Sequence, residues 1–167
     1  MIIRIASIHD VASIREIAFE TWPVAYGNIL SKTQLDYMLE KFYNLEVLKQ
    51  QIEESGHQFI LATDAETHVG FASFSPVFED GIYKIHKLYV QPNHQSNGIG
   101  KQLLNFIFSA LQSKDCKKII LNVNRHNNAV QFYLEHGFVI LKEEDIDIGN
   151  GFFMNDYVME LKLVEGS

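Results

Sequence analysis

The sequence predicts a mixed α/β fold of the α+β kind, a mostly antiparallel sheet of six to seven strands interleaved with helices. Three observations carry that reading. Runs of alternating β-branched and aromatic residues at 58–63, 69–78 and 85–90, joined by short polar turns, read as three successive antiparallel strands. The third run passes through a polar loop into an amphipathic helix and on to a further strand at 117–124. One helix in that connection makes the two strands parallel and adjacent by the right-handed crossover rule. Finally, 167 residues with 47% apolar content suffice for a proper core in one domain spanning 1–167.

In chain order, residues 2–6 alternate as a first strand. Ser7 to Asp10 cap a helix whose Val11, Ile14, Ile17 and Ala18 share a face, with its end expected near Trp22-Pro23. An apolar loop over 24–30 follows, and Trp22 with Tyr26 makes an aromatic pair too large for a mere connection. Ser31 with Gln34 reads as a capping box for a helix carrying Leu35, Met38, Leu39 and Phe42. Asn44 caps another short helix that stops at Gly56. After the three strands and the central helix (Leu103, Ile107, Ala110 and Leu111 on one face), the 117–124 strand alternates through Ile119, Leu121 and Val123. A loop at 124–128 leads to a helix from Ala129 to Glu135 ended by Gly137. Strands at 138–141 and 152–163 close the chain; the last either completes the sheet or pairs across a homodimer.

Composition narrows the function. Apolar runs are far too short to span a bilayer, and residues 1–6 show no secretory leader. One cysteine, Cys116, has no partner for an internal disulfide, so a reducing cytoplasm is the expected location. Net charge is −7 without basic runs, which disfavours nucleic acid and anionic membranes as partners and favours a cationic substrate. The seven histidines show no ligand spacing beside a cysteine cluster, so no metal is expected.

The stretch from Ile85 to Leu104 is the chemical centre. Its strand stops at Pro92, and Gly98 and Gly100 stand where a helix begins. There the first backbone N–H groups have no internal partner, the macrodipole is positive, and glycine lets an anion approach the backbone. Lys101 adds a mobile positive charge, so a pyrophosphate cradle is expected. A Walker loop fails, because Gln95 replaces the first glycine and Gln102 the hydroxyl; a dinucleotide fingerprint fails at Leu103. What remains, Gln95-x-x-Gly98-x-Gly100 after Leu88-Tyr89-Val90, resembles the acetyl-CoA loop of the GNAT superfamily of N-acetyltransferases. A second stretch, Asn124-x-x-Asn127-x-Ala129-x-x-Phe132-Tyr133-x-x-x-Gly137-Phe138, resembles the C-terminal motif of the same superfamily. The two occur in the right order, about 30 residues apart, and the element order over 2–163 is similar throughout. The interval between Asn127 and Ala129 is one residue shorter than in many relatives.

The resemblance implies a sheet with helices on both faces and a splay between the parallel strands 85–90 and 118–124. It implies acetyl-CoA as cosubstrate, its pantetheine arm along Leu88, Tyr89 and Val90, and its pyrophosphate on the amides of Ser96, Asn97, Gly98, Ile99, Gly100 and Lys101 beside Gln95. Asn127 would bond the arm or its sulfur side. An amine would attack the thioester, with the oxyanion on a strand amide near Leu88 or Tyr89. Tyr133 would protonate the departing thiolate, phenol and thiol having similar proton affinities. His86 stands where relatives often carry a glutamate base, and its near-neutral pKa suits the task. Trp22 and Tyr26 would meet the acceptor. The 22–43 region, with Tyr37, Asp36 and Glu40, would cover one side of the cleft, and the run 145–151 the other; aromatics and acids there suit an alkyl ammonium. Residues 21–39 and the ending Asp156-Tyr157-Val158-Met159 look similar to bacterial polyamine acetyltransferases of the spermidine and spermine type. Protein N-terminal or lysine acetylation, a non-catalytic acyl-CoA sensor and a plain interaction domain are the other readings.

Overall fold

A computed structural model describes residues 1–163, and of Ser96 the backbone. Its strands are β1 (Ile2–Ile5), β2 (Gln58–Asp64), β3 (Thr67–Pro76), β4 (Ile82–Val90), β5 (Lys118–Asn124), β6 (Val139–Gly149) and β7 (Phe152–Lys162); its helices are α1 (Val11–Tyr26), α2 (Lys32–Tyr43), α3 (Leu45–Glu53), α4 (Ile99–Gln112) and α5 (Ala129–Glu135). The strands make one sheet in the order β1-β2-β3-β4-β5-β7-β6. Every pairing is antiparallel except β4 with β5, the pair joined by the α4 crossover. β7 therefore lies inside the sheet and completes it, leaving β6 at the edge.

Both faces of the sheet are covered. Ile99, Leu103, Leu104, Ile107 and Leu111 of α4, at helical spacing, pack with Tyr133 and Phe138 onto Ile60, Ala72, Ile85, Ile119 and Leu121. On the opposite face α1, α2 and α3 bury Ile14, Trp22, Leu39, Tyr43 and Leu48 against Phe59, Leu61 and Phe71. Leu103, Leu104, Ile14 and Leu48 are entirely buried, and a fully buried aliphatic side chain contributes about 1.5–3 kcal/mol. Successive strand residues serve the two layers alternately, which is why the central strands carry apolar residues on both sides.

The structure departs from the sequence reading at four places. α1 continues through Pro23 to Tyr26; the helical turn beyond the proline is held by the burial of Trp22 and Tyr26, whose rings sit 4.8 Å apart one turn from each other. The capping box at α2 is half formed. Ser31 Oγ accepts from the Gln34 amide at 3.1 Å, but the Gln34 side chain donates to the Phe153 carbonyl at 2.8 Å instead of returning to the cap. The loop after β4 is a 3-10 turn, Pro92–Asn97. Finally, β6 runs to Gly149, so the 145–151 run is the tip of a long β6–β7 hairpin.

Candidate active site

Pairing between the parallel strands is short. It runs from Ile82 opposite Lys118 to Ile85 opposite Leu121 and stops. β4 goes on to Val90 bonded only to β3, and β5 to Asn124 bonded to β7. The residue at which β4 leaves β5 is His86, the extra residue of a bulge: Ser73 pairs with Lys87 and Phe74 with Ile85. A bulge bends and twists its strand, and here it opens the splay that the sequence resemblance implied. Beyond it the β5-facing edge of residues 86–90, which includes Leu88, Tyr89 and Val90, has free main-chain groups that an extended ligand can pair with as an added strand.

At the end of that edge lies the glycine loop. Gln95 Nε2 donates to the Val90 carbonyl at 3.2 Å, tying the turn to the strand end. Gly98 adopts φ +73°, a left-handed conformation that glycine takes at little cost, and opens α4. The ladder of α4 begins with the Gln102 amide on the Gly98 carbonyl at 3.1 Å, so the amides just ahead have no partner in it. A Cβ at Gly98 would meet nothing within 4 Å, and one at Gly100 would first meet the Phe132 ring at 3.5 Å. The space in front of Gly98 is open, as an anion cradle requires, while that in front of Gly100 is walled by Phe132 and Leu88. Ile99 is buried in the core and has only its backbone to offer; Asn97 and Lys101 are exposed. The Ser96 side chain lies outside the described residues.

The splay opens into a cleft of about 330 Å³. It brings together Trp22, Tyr26, His86, Leu88, Tyr89, Asn127 and Tyr133 of the expected site residues; Val90, Gln95 and the 96–101 turn lie beyond its end. Tyr26 and Tyr89 share a hydroxyl hydrogen bond of 3.1 Å, and Trp22 packs on both rings. Tyr133 is buried, with edge contacts to Phe132 and Phe138. Burial, and then the nearby Tyr26, push its pKa well up, so the phenol holds its proton. Asn127 Oδ1 accepts from the Ala129 amide at 2.9 Å, which leaves its amide nitrogen for the cleft.

His86 is differently placed from an exposed base. Its Nε2 is 2.7 Å from Ser75 Oγ and its ring stacks on His57 at 4.0 Å. Desolvation first, then His57, Lys87 and Lys84, pull its pKa down to about 3, and His57 falls to about 4 for similar reasons. Both rings are neutral near pH 7 and weakly basic. Lys87, on the same side of the bulge, bonds Gln51 Oε1 at 3.0 Å and lies over the Tyr43 and Phe59 rings; burial lowers it to about 8.

The acids expected around the cleft are elsewhere. Asp36 pairs with Lys32 at 2.8 Å and Glu40 with Arg15 at 3.0 Å, both at the surface. Among the described residues the cleft lining holds one carboxylate, Asp156, and two lysines, Lys84 and Lys87. Asp156 on β7 is opposite Asn124, the last residue of β5. Sequence reasoning does not place it in the site, because alternation alone puts a charged strand residue on a solvent face, whereas Asp156, Val158 and Glu160 on that face of β7 are buried. A polar residue paired with the end of a motif strand was the available signal.

The acetyltransferase (GNAT) domain family matches residues 28–161. The chain belongs to that family. It is a GNAT acetyltransferase, similar over its whole length to a spermidine N(1)-acetyltransferase of Thermoplasma acidophilum, with 28% identity over 96% of each chain. Its fold matches a crystal structure of the PaiA N-acetyltransferase of Thermoplasma acidophilum in complex with coenzyme A: TM-score 0.82, 28% identity, 98% of this chain and 100% of that one. A GCN5-related N-acetyltransferase from Rhodopseudomonas palustris shares the fold at TM-score 0.82 and 20% identity, over 97% of this chain and 95% of that one. Acetyl-CoA as the cosubstrate of this GNAT chain agrees with the coenzyme A of that complex. No helix among the described residues is long and apolar enough to cross a membrane.

Proposed function

We propose that the protein moves the acetyl group of acetyl-CoA to a primary amine by direct attack in a ternary complex, the acceptor being a small cationic amine of the polyamine type. The observation that carries the reading is the splay itself, with unpaired main chain along 86–90, an open glycine turn at one end and a buried tyrosine in its wall. One strand amide, at Leu88 or Tyr89, would hold the negative charge that develops on the thioester oxygen. As the carbon–sulfur bond breaks, the leaving thiolate takes a proton from Tyr133 Oη, which burial keeps protonated. Trp22 and Tyr26 supply the apolar and aromatic wall against which an alkyl ammonium packs. The polyamine assignment draws support from the Thermoplasma relative named for spermidine.

One observation favours a second acceptor class. Lys84 and Lys87 line the same cleft, and two cations repel the far end of a polycation while attracting a carboxylate. Amino acids and peptide N-termini therefore belong beside spermidine, spermine and diamines in the deciding experiment, thiol release from acetyl-CoA with each amine in turn. Release above hydrolysis with a polyamine supports the reading, and release with amino acids alone replaces the acceptor. Tight acetyl-CoA binding without release from any amine favours the sensor reading.

A further inference from the structure

Among the described residues, the acceptor side of the cleft offers an ammonium group one carboxylate. His86 has its Nε2 engaged by Ser75, its face covered by His57, and lysines 84 and 87 beside it, so an ammonium group there is repelled. Asp36 and Glu40 are spent on surface ion pairs. Asp156 remains. It is 2% exposed, and its one side-chain hydrogen bond among the described residues is a long one, 3.4 Å from Asn122 Nδ2 to Oδ2. Its backbone carbonyl, not its carboxylate, receives Arg125, whose guanidinium is committed to Asp145 at 2.7 Å and Glu143 at 3.6 Å. A buried carboxylate this poorly satisfied costs several kcal/mol unless a cation or further donors reach it.

Resting on the acetyltransferase reading of the cleft, we propose that Asp156 is the acceptor-binding carboxylate: it receives the substrate's ammonium group and takes its proton. The register fixes the location. Asp156 lies across from Asn124 at the end of β5, three residues beyond Leu121, where β4 and β5 part, with Asn127 and Tyr133 on the segment that follows. The balance is simple. The N–H bond of the ammonium breaks, the proton passes to a carboxylate oxygen, the freed lone pair attacks the thioester carbon, and the carboxylic acid returns its proton to water at the cleft mouth. Groups facing Asp156 from the surrounding elements are Lys84 on β4, Asn122 on β5, Arg125 after it, Glu144 on β6 and Tyr26 on α1. Burial, followed by Glu144, raises its proton affinity against the opposing effects of Asn122, Lys84 and Arg125, which suits a proton acceptor.

The test separates this assignment from the transferase reading by measuring binding. The CoA-loaded protein is titrated calorimetrically with n-butylamine and with spermidine. Asp156→Asn is expected to weaken the better-bound amine at least tenfold while CoA affinity stays within twofold, and Asp156→Glu is expected to restore part of the loss. Equal amine affinity in wild type and Asp156→Asn overturns the assignment, as does the absence of amine binding in a wild-type protein that holds CoA. Should Asp156→Asn lose CoA as well, Asp156→Glu decides: amine binding kept with the charge supports the role, and loss of amine binding with CoA intact overturns it. Thiol release is scored separately. A wild type that binds amine through Asp156 yet releases no thiol overturns the transferase and leaves the ammonium site standing.

Discussion

At the scale of single residues, the cleft sets buried protons against water. Tyr133 is protonated at neutral pH because its phenolate would be stranded among Phe132, Phe138 and the core. Tyr133→Phe removes only the hydroxyl and leaves the ring contacts, so acetyl-CoA affinity is expected to persist while kcat falls by roughly 10²–10⁴-fold, the usual worth of a positioned acid; unchanged turnover in single-turnover kinetics would refute the role. The stacked His57 and His86 make a second prediction, about stability. Their folded pKa values, about 4 and about 3, lie below the 6.5 of the unfolded chain. Between those limits the unfolded state binds more protons, so stability is lost as pH falls below 6.5 and levels off only near pH 3. Asp156, raised by burial, works in the opposite direction, and Asp10, held near 2 by its bond to Arg4, matters only below 3.8. Thermal unfolding between pH 7 and pH 4.5 should show a clear fall in wild type and a shallower one in His86→Gln, whose amide can still meet Ser75.

At the scale of elements, the glycine turn separates what the fold needs from what a ligand needs. Gly98→Ala forces φ +73° on an alanine, a cost of about 1–2 kcal/mol. Gly100 is helical, and an alanine Cβ there meets the Phe132 ring at an ordinary 3.5 Å. Gly100→Ala is therefore expected to keep or raise the melting temperature, alanine being the better helix former, yet weaken CoA binding at least tenfold because the methyl group fills the approach to the amides. Equal CoA affinity in a well-folded Gly100→Ala would remove the cradle from this turn. The β4–α4–β5 unit around it was legible in the sequence because three local signals agree there: period-two strands, glycines at a helix start, and an apolar stripe on α4. The end of α1 was not, since Pro23 argues locally for a stop while the Trp22–Tyr26 stack, a tertiary contact, carries the helix one turn further. β6 was hidden for a related reason: Lys142, Glu143 and Asp145 are exposed and Glu144 is half-buried on a strand that projects as a hairpin, so its pattern is that of a polar loop. The bulge at His86 has no sequence signature, yet it directs His86 and Lys87 to one side and opens the splay.

Across the whole molecule, the acceptor side is assembled from segments far apart in the chain and closed by a few polar ties. Tyr37 Oη donates to the Ile148 carbonyl at 2.8 Å, Lys41 Nζ reaches the same carbonyl at 2.5 Å, and Gln34 Nε2 holds the Phe153 carbonyl at 2.8 Å. These three bonds fasten α2 to the tip of the β6–β7 hairpin, whose Gly149 lies so close to Tyr37 that a Cβ would stand 2.8 Å from its hydroxyl. The acetyl-CoA side shares none of these contacts, because the 95–101 turn rests on β4 and α4. The two halves of the proposed ternary site can therefore be disturbed independently. In the double variant Tyr37→Phe with Lys41→Met, the Ile148 carbonyl loses both donors, at roughly 1 kcal/mol for each net hydrogen bond. Hydrogen exchange at 146–154 is expected to speed up and KM for the amine to rise several-fold, while the dissociation constant of CoA stays at its wild-type value. A parallel loss of CoA affinity would mean that the hairpin supports the whole cleft and that the separation of the two halves is wrong. An unchanged KM would mean that the hairpin tip lies too far from the bound amine to matter, leaving Asp156, deeper along the same strand pair, as the hairpin's contribution to the site.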